Sequence, residues 1–560
     1  MSDLKLSLLS NINLDSLIGR LSKLYDVYKT EGYGTWIQEI INPDSGLYSF
    51  GPEIVFIVID GEEMFKGQSK DSNTIDMNIS YIEEAVKNNP DITFFVSNID
   101  LWTRKIECAK SGSEERRLEF LWEDSLFLMS GKYRNFYILD LKSIIEDKGR
   151  EQFYSKKLWY LGGIKYSMKA EKLLEQHINR CVASVKGTRK KCLVLDLDNT
   201  LWGGVVGEAG LEGIELSDYK EGARYKDFQR KLKEIKDLGI ILAVVSKNNF
   251  DDAIKVIREH KHMVLREEDF VALKINWDLK SQNIRDLSEE LNIGLDSMVF
   301  IDDNPIERES VKRELSEVTV PDFPQDTSEL VDFATELYNN YFYTLDTTDE
   351  DTVKTEIYRQ NIKRRDAQKS CTSYEAFLKS LETKIEICRI SPENVQRAAQ
   401  LTQKTNQFNL TTKRYSEQEL LALIDEEGFE GFAAYVSDRF GDNGMVSVVI
   451  TKHKTDGEVE LDTFLLSCRV MGRFIEDQII GFIEDLHKKS GYKRLITYYR
   501  PTEKNAPVKD LFERLGYTLL DVDKAGNKKY VLDLEESNTC FRKKFGELRY
   551  CENTPSGLCC

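Results

Sequence analysis

The stretch that decides the fold is KCLVLDLDNTLWGG, Lys191 to Gly204. Its apolar run, Leu193-Val194-Leu195, fits a central parallel strand covered by helices on both faces. The run ends in Asp196-x-Asp198-x-Thr200. In open α/β sheets the ligand site lies beyond the carboxyl ends of the strands, where this triplet falls. Side chains two apart on an extended strand point the same way, so both carboxylates reach one site. One can attack a phosphorus to form an acyl phosphate. The other can protonate the leaving oxygen and then take a proton from water.

Three later pieces extend the pattern. ILAVVSKNN, Ile241 to Asn249, is an apolar strand ending in Ser246, Lys247 and Asn248, with a hydroxyl set to hydrogen-bond a phosphoryl oxygen. NWDLKSQNI, Asn276 to Ile284, supplies Lys280, a point charge suited to the nucleophile and the transferring group. SMVFIDDNPIE, Ser297 to Glu307, ends a third strand in Asp302-Asp303, hard oxygens of the kind Mg²⁺ requires. Singly, Ser246 reads equally as a helix N-cap, Lys280 as a solvated helix residue and Asp302-Asp303-Asn304-Pro305 as a turn. Together, in this order and each at a strand end, they read as one phosphoryl-handling site.

D-x-D-x-T, then Ser, Lys and D-D, is the motif order of the haloacid dehalogenase (HAD) superfamily. The longer text resembles its FkbH-like branch, subfamily IIIC, over about Lys191 to Pro324. The resemblance implies Asp196 as nucleophile and Asp198 as acid/base. Mg²⁺ would be held by Asp302 (beside Asp303), Asp196 and the backbone carbonyl of Asp198. Ser246 and Lys280 would bind phosphate, with Thr200, Lys247 and Asn248 completing that substrate site. Only about forty residues separate Thr200 from the second motif strand, leaving little room for a large cap. An open site suits a bulky substrate such as a carrier protein.

Downstream, RVMGR, Arg469 to Arg473, lies between an apolar strand and a helix-like run. A glycine turn there presents backbone N–H groups at a helix N-terminus, which suits a pyrophosphate. It resembles the R-x-x-G-x-[GA] signature of Gcn5-type (GNAT-like) acyltransferases, with Phe474 in the last place, making Arg469, Gly472 and Arg473 candidates for binding a pantetheine arm. An ordinary tight turn is the alternative. TQKTNQFNLTTKRYS, VSDRFGDNGMVSVVI and EKNAPVKDLFERLGY extend the FkbH-like likeness to Tyr517. Such proteins are associated with loading a glyceryl unit from a bisphosphoglycerate onto an acyl carrier protein through an enzyme-bound thioester. That route implies a nucleophilic cysteine, for which Cys468 is the candidate, a buried small hydrophobe being its alternative. Cys192 begins a core strand and reads as structural. The histidines His177, His260, His262, His453 and His487 adjoin no motif, which gives Ser-His or Cys-His catalysis little support.

The first 185 residues alternate short β-branched strands (VFIVID, ITFFVSN, FYILDL) with polar helical stretches, implying a parallel sheet. Ser10 stands where a GDSL-type hydrolase carries its serine, but no Gly-Asp precedes it and no D-x-x-H follows near Tyr160. The block resembles a degenerate SGNH-like domain, expected to be catalytically silent.

At 560 residues several domains are required. We expect an α/β chain of three: an SGNH- or flavodoxin-like α/β domain (1–185), a HAD-like Rossmannoid parallel sheet (186–325) and a GNAT-like α+β domain (376–540). A helical linker (326–375) precedes the last, and a tail (541–560) follows it. A formal charge of −18 disfavours nucleic acid and anionic membrane as partners. An acidic N-terminus without a cleavage pattern and the absence of a long apolar run predict a cytoplasmic protein. Ten cysteines without C-x-x-C spacing or histidine partners argue against a structural zinc site and a disulfide framework. The terminal Cys559-Cys560 pair reads as an untethered tail rather than a prenylation signal. The expected activity is Mg²⁺-dependent glyceryl transfer from a phosphorylated small molecule to an acyl carrier protein. Its rivals are a phosphatase acting on a phosphorylated metabolite or sugar, in surface-glycan or secondary-metabolite biosynthesis, and a non-catalytic scaffold.

Overall fold

The computed structural model describes residues 4–551 apart from 31, 33, 104–105, 107, 109–112, 348–353, 406, 455–456, 503 and 538–544, with backbone alone for Lys404 and Cys468. The Cys559-Cys560 pair lies outside these described residues. The chain divides into two units, Met1–Arg189 with Tyr338–Asp346, and Lys190–Leu337 with Thr347–Cys560. No described helix is long and apolar enough to cross a membrane.

In the first unit, β1 (Lys5–Ser10), β2 (Asp26–Tyr28), β3 (Ile54–Val58), β4 (Thr93–Ser97) and β5 (Phe136–Leu139) form a wholly parallel sheet in the order β2-β1-β3-β4-β5. That is the flavodoxin-like order. Alternation along β3 divides the apolar side chains between two cores. Ile54, Phe56 and Val58 pack with Leu174 and Ile178 of helix Met168–Val185. Val55 and Ile57 pack with Ile82 and Trp122 on the other face. Beyond the carboxyl ends of β3 and β4 stand two buried acids, each matched by a partner. Lys165 binds Asp60, and Arg150 and the Tyr154 hydroxyl both donate to Asp100. Charges so deeply buried persist only when paired.

His177, on helix Met168–Val185, is buried and neither ring nitrogen has a hydrogen-bond partner among the described residues. Burial, aided by neighbouring Arg180, lowers its pKa to about 3. The unfolded chain then takes this proton near pH 6.5 and the folded chain only near 3. Stability is present above 6.5 and is lost as pH falls through that window. Hydrogen-exchange protection of the first unit should fall by about 2 kcal/mol between pH 7 and pH 5 in the wild type. In His177→Gln the fall should be smaller; equal slopes would clear the histidine of responsibility.

The second unit begins with β6 (Cys192–Leu195), β7 (Ile241–Lys247), β8 (Phe270–Asn276) and β9 (Met298–Ile301), all parallel, in the order β8-β7-β6-β9. The remaining strands are β10 (Thr383–Arg389), β11 (Phe429–Asp438), β12 (Gly441–His453), β13 (Glu458–Leu466), β14 (Arg494–Tyr499), β15 (Thr518–Val522), β16 (Lys528–Asp533) and β17 (Gly546–Cys551). They form a mostly antiparallel sheet of order β15-β16-β14-β13-β12-β11-β10-β17, an α+β arrangement with helix Ile475–Lys489 packed on it. β13 and β14 pair in parallel only from Glu458 to Leu461. Beyond that point Phe408 and Leu410 lie beside β13, with Leu466 N–H donating to the Phe408 carbonyl.

Helix Lys354–Ser370 joins the two sheets of this unit. Tyr358 and Ile362 pack on the core of the parallel sheet. Arg364, two residues further on, makes a bidentate pair with Asp438 at the end of β11, at 2.7 and 2.9 Å. Arg473 binds the same carboxylate at 2.9 Å, and the Asp438 side chain is fully buried. Removing one partner of a buried pair strands the others. Asp438→Asn should therefore cost about 3–5 kcal/mol, read as a lower urea midpoint in full-length protein; an unchanged midpoint would show that the guanidiniums find other partners.

Candidate active site

The four sequence motifs meet at the carboxyl rim of the parallel sheet. β6 runs directly into Asp196, whose amide donates to Ile301 at the end of β9. Asn199 takes a left-handed backbone conformation (φ 55°), which asparagine tolerates. Its side chain receives the Gly204 amide, and the returning loop brings the Val206 amide to Asp198 Oδ1 at 3.1 Å. Trp202 Nε1 donates to the same oxygen at 2.8 Å, and Asn248 Nδ2 donates to Asp198 Oδ2, also at 2.8 Å. Asp198 is thus oriented from three sides. Its pKa is raised, burial being the main cause and Asp196 adding to it.

Lys280, the first residue of helix Lys280–Leu291, reaches into the rim. Its Nζ lies 2.5 Å from Asp302 Oδ2 and 2.9 Å from Asp196 Oδ1. All three residues are buried. Asp196 Oδ1 has this ammonium at ion-pair distance yet no well-directed hydrogen bond, so it keeps capacity for another electropositive partner. Burial works against the Lys280 charge, but Asp196 and Asp302 outweigh it and raise the pKa. Burial and then Asp196 raise Asp302, and burial with both neighbouring carboxylates pushes Asp303 up to about 6. Asp302 directly follows β9, its Oδ1 accepting the Asn304 amide at 2.9 Å. Asn304 caps helix Pro305–Glu314, so the Asp-Asp-Asn-Pro turn is also a helix start.

Asp196, Asp302 and Asp303 each offer one carboxylate oxygen, and these atoms lie within 4.8 Å of one another. Three carboxylates against the single Lys280 amine leave two negative charges uncompensated when all are ionised. That deficit, the hard oxygen donors and the underused Asp196 Oδ1 fit a divalent Mg²⁺ ion. The Asp198 carboxylate is outside this cluster, engaged by Trp202, Val206 and Asn248.

Of the other residues singled out in the sequence, Thr200 Oγ1 accepts the Asp303 amide at 3.3 Å, and Lys247 pairs with Glu307 at 2.6 Å. Ser246 is buried near the end of β7. Three contacts escaped the sequence reading: the Trp202 donor, the Glu307 partner, and Arg308, which donates to the Asp302 and Asp303 carbonyls at 2.8 and 2.7 Å. Trp202 and Glu307 stand inside the quoted motifs and Arg308 directly follows the last of them. An open cavity of about 460 Å³, lined by Asn248, Phe250, Asn276 and Trp277 among others, lies beside Asn248. Trp277 and Phe250 are exposed there.

The Arg469-to-Arg473 segment follows β13 of the antiparallel sheet. Cys468 opens a short 3₁₀ turn, Cys468–Val470, and its side chain is outside the described residues. Arg469 Nε donates to Ser467 Oγ at 3.0 Å, and Gly472 has φ 83°. Arg473 is buried and committed to Asp438 and the Arg469 carbonyl. Phe474 is left-handed and opens helix Ile475–Lys489, whose first turn carries Glu476 and Asp477, both paired with Arg514. In the first unit, Ser10 Oγ donates to the Val58 carbonyl at 2.7 Å and accepts the Ile12 amide at 3.1 Å.

Residues 191–340 match the family of NLI interacting factor-like phosphatases. The N-terminal part of a Bacteroides fragilis protein containing a phosphatase domain, crystallised with Mg, is 29% identical to this chain. The alignment covers 61% of this chain and 95% of that one, with a TM-score of 0.56. The chain therefore carries a HAD-type phosphatase domain, similar to one crystallised with Mg. The ribosomal-protein-S18-alanine N-acetyltransferase from Escherichia coli also aligns, at 16% identity and a TM-score of 0.22 over 28% of this chain and 96% of that one. An N-acetyltransferase from Thermoplasma acidophilum in complex with coenzyme A does so at 16% and 0.22, over 27% and 98%. The α+β character of the last sheet rests on its own strand order rather than on these slight likenesses. No curated protein matches the chain.

Replacing Lys280 by Met should lower phosphatase kcat by roughly 10²–10³-fold, the usual loss when a preorganised charge is removed. It should also tighten divalent-cation binding, because the competing amine is gone. Hydrolysis of a chromogenic phosphomonoester and calorimetric titration with Mg²⁺ read the two effects. Unchanged cation affinity would contradict the charge balance drawn here.

Proposed function

We propose that this chain is a Mg²⁺-dependent enzyme that works through an aspartyl phosphate on a phosphorylated small molecule. The observation that carries the reading is the Lys280 amine held between Asp196 and Asp302 at the end of β6. Asp196 attacks phosphorus, the bond to the leaving oxygen breaks, and Asp198 gives that oxygen its proton. Water then adds to the aspartyl phosphate, Asp198 takes the proton, and phosphate departs. Trp202, Asn248 and the Val206 amide hold Asp198 in position for both transfers. Lys280 steadies the nucleophile and the phosphoryl oxygens, and Ser246 and Thr200 serve the same pocket. Asp196 and Asp302, with Asp303 and the Asp198 carbonyl, would hold Mg²⁺, which supplies charge neutralisation when bound.

The finer reading follows the FkbH-like resemblance between Lys191 and Tyr517. The substrate is a bisphosphoglycerate-type acyl phosphate and the final acceptor an acyl carrier protein. A thiolate, with Cys468 the candidate, attacks the acyl carbon, the carbon–oxygen bond breaks and the acyl phosphate leaves as inorganic phosphate; the remaining phosphomonoester is hydrolysed through Asp196, leaving a glyceryl thioester. The carrier's pantetheine thiol then displaces that thioester, its arm held by the Arg469-to-Arg473 turn. The SGNH-like first unit serves as a catalytically silent binding domain. A second reading, a plain phosphatase on a phosphorylated metabolite or sugar, is favoured by one specific observation. Arg473 is spent on Asp438, and Glu476 and Asp477 occupy the helix start that a pyrophosphate would use.

Incubating the full-length protein with Mg²⁺, a bisphosphoglycerate and holo carrier protein, then weighing the carrier, tests both readings. Glyceryl transfer predicts an adduct that disappears in Cys468→Ala and in Asp196→Asn. Phosphate release without an adduct establishes the second reading, and no phosphate release at all would overturn both.

A further inference from the structure

Outside the phosphatase rim, the antiparallel sheet gathers a second set of ligating groups. Glu430 lies near the start of β11, paired in register with Thr451 of β12. His453 ends β12, and its amide donates to the Gly428 carbonyl at 2.6 Å. Residues two apart on a strand share a face, so Glu430 and His453 stand as diagonal neighbours on one face. Helix Ile475–Lys489 packs on this sheet, and its last turn carries His487. One donor atom from each of the three residues lies within 4.8 Å of the others. The His453 and His487 rings are 5.7 Å apart and nearly perpendicular.

His487 is an independent observation that points to a ligand. It is 1% exposed, and its Nε2 has no hydrogen-bond partner among the described residues. Leaving a buried polar nitrogen unmatched costs about 1–3 kcal/mol, and a packing histidine would ordinarily turn toward a carbonyl. Glu430 uses one oxygen to bind Arg389, at 2.7 Å, and turns the other toward His453 Nε2, at 3.4 Å. That separation is close to the ~3.3 Å edge of a tetrahedron built on metal bonds of about 2.0–2.1 Å. The Arg389 contact resembles the outer hydrogen bond that orients a ligating carboxylate.

We propose that Glu430, His453 and His487 bind a divalent transition-metal ion, Zn²⁺ being the ion that two imidazoles and a carboxylate suit. Partial exposure of Glu430 and His453 leaves the fourth position to water. Mg²⁺ is excluded because imidazole nitrogen is a poor partner for so hard a cation. The ion would clamp the last turn of helix Ile475–Lys489 to the open end of the β11–β12 hairpin. This site is independent of the phosphatase reading, and it revises the expectation, drawn from cysteine spacing, that the chain has no structural zinc.

The test uses full-length protein stripped with a chelator, saturated with Mg²⁺ to fill the carboxylate cluster, and then given Zn²⁺ or Co²⁺. Wild type should retain one Zn²⁺ per chain after desalting and show the intense visible absorption of four-coordinate cobalt. His453→Gln and Glu430→Gln, at partly exposed positions, should weaken binding at least about ten-fold, while Asp302→Asn should leave it intact. No retained Zn²⁺, equal retention by wild type and His453→Gln, or loss in Asp302→Asn alone would each overturn the proposal.

Discussion

The buried amine of Lys280, caught between the carboxylates of Asp196 and Asp302, is the contact on which the phosphatase domain depends. Three carboxylates at one sheet rim would repel one another in a low-dielectric setting. One lysine lowers that repulsion without cancelling it, and so the site is stable enough to fold yet still electrostatically hungry. The residual negative charge at this rim favours a cation there. The geometry follows from topology: β6, β7 and β9 are adjacent and parallel, so the residues ending them fall together. Lys280 joins them because its helix starts immediately beyond β8.

This explains why the phosphatase centre was so legible in the sequence. Each motif is an apolar run followed by a polar end, and parallel topology turns four distant strand ends into neighbours without help from long-range detail. Asp196, Asp302 and Asp303 could be nominated on that rule, and Lys280 by its place just after the next such run. The contacts around Asp198 were less visible. Trp202 reaches it only because Asn199 accepts a left-handed backbone, and no strand rule foresees that turn. The His453–His487–Glu430 grouping was invisible for another reason: its members sit 23 and 34 positions apart, on two strands and a helix whose pairing no local pattern encodes. The return of Tyr338–Asp346 to the first unit was hidden similarly. Its charged flanks read as a connector, whereas Tyr343 and Leu345 pack into the core beside Leu174.

The two α/β sheets illustrate how one architectural rule yields different outcomes. In the first unit the acids beyond β3 and β4 are matched, Asp60 by Lys165 and Asp100 by Arg150 and Tyr154. Each of these two carboxylates has a cationic or hydroxyl partner. In the phosphatase domain acids outnumber bases, and the rim stays reactive. Charge balance at a sheet edge, rather than fold, separates the two.

Asp438 accepts from Arg364 of the bridging helix and from Arg473 ahead of helix Ile475–Lys489. Mechanically, that carboxylate is a pivot pin shared by two arms. The arm bearing Arg364 also bears Tyr358 and Ile362, seated on the phosphatase core. Swinging either half of this unit away from the other would pull at least one guanidinium off a buried acid, a penalty ordinary interdomain hinges do not face. Cargo passed between the two sheets would thus have to travel along a fixed track instead of being carried by a swinging lobe.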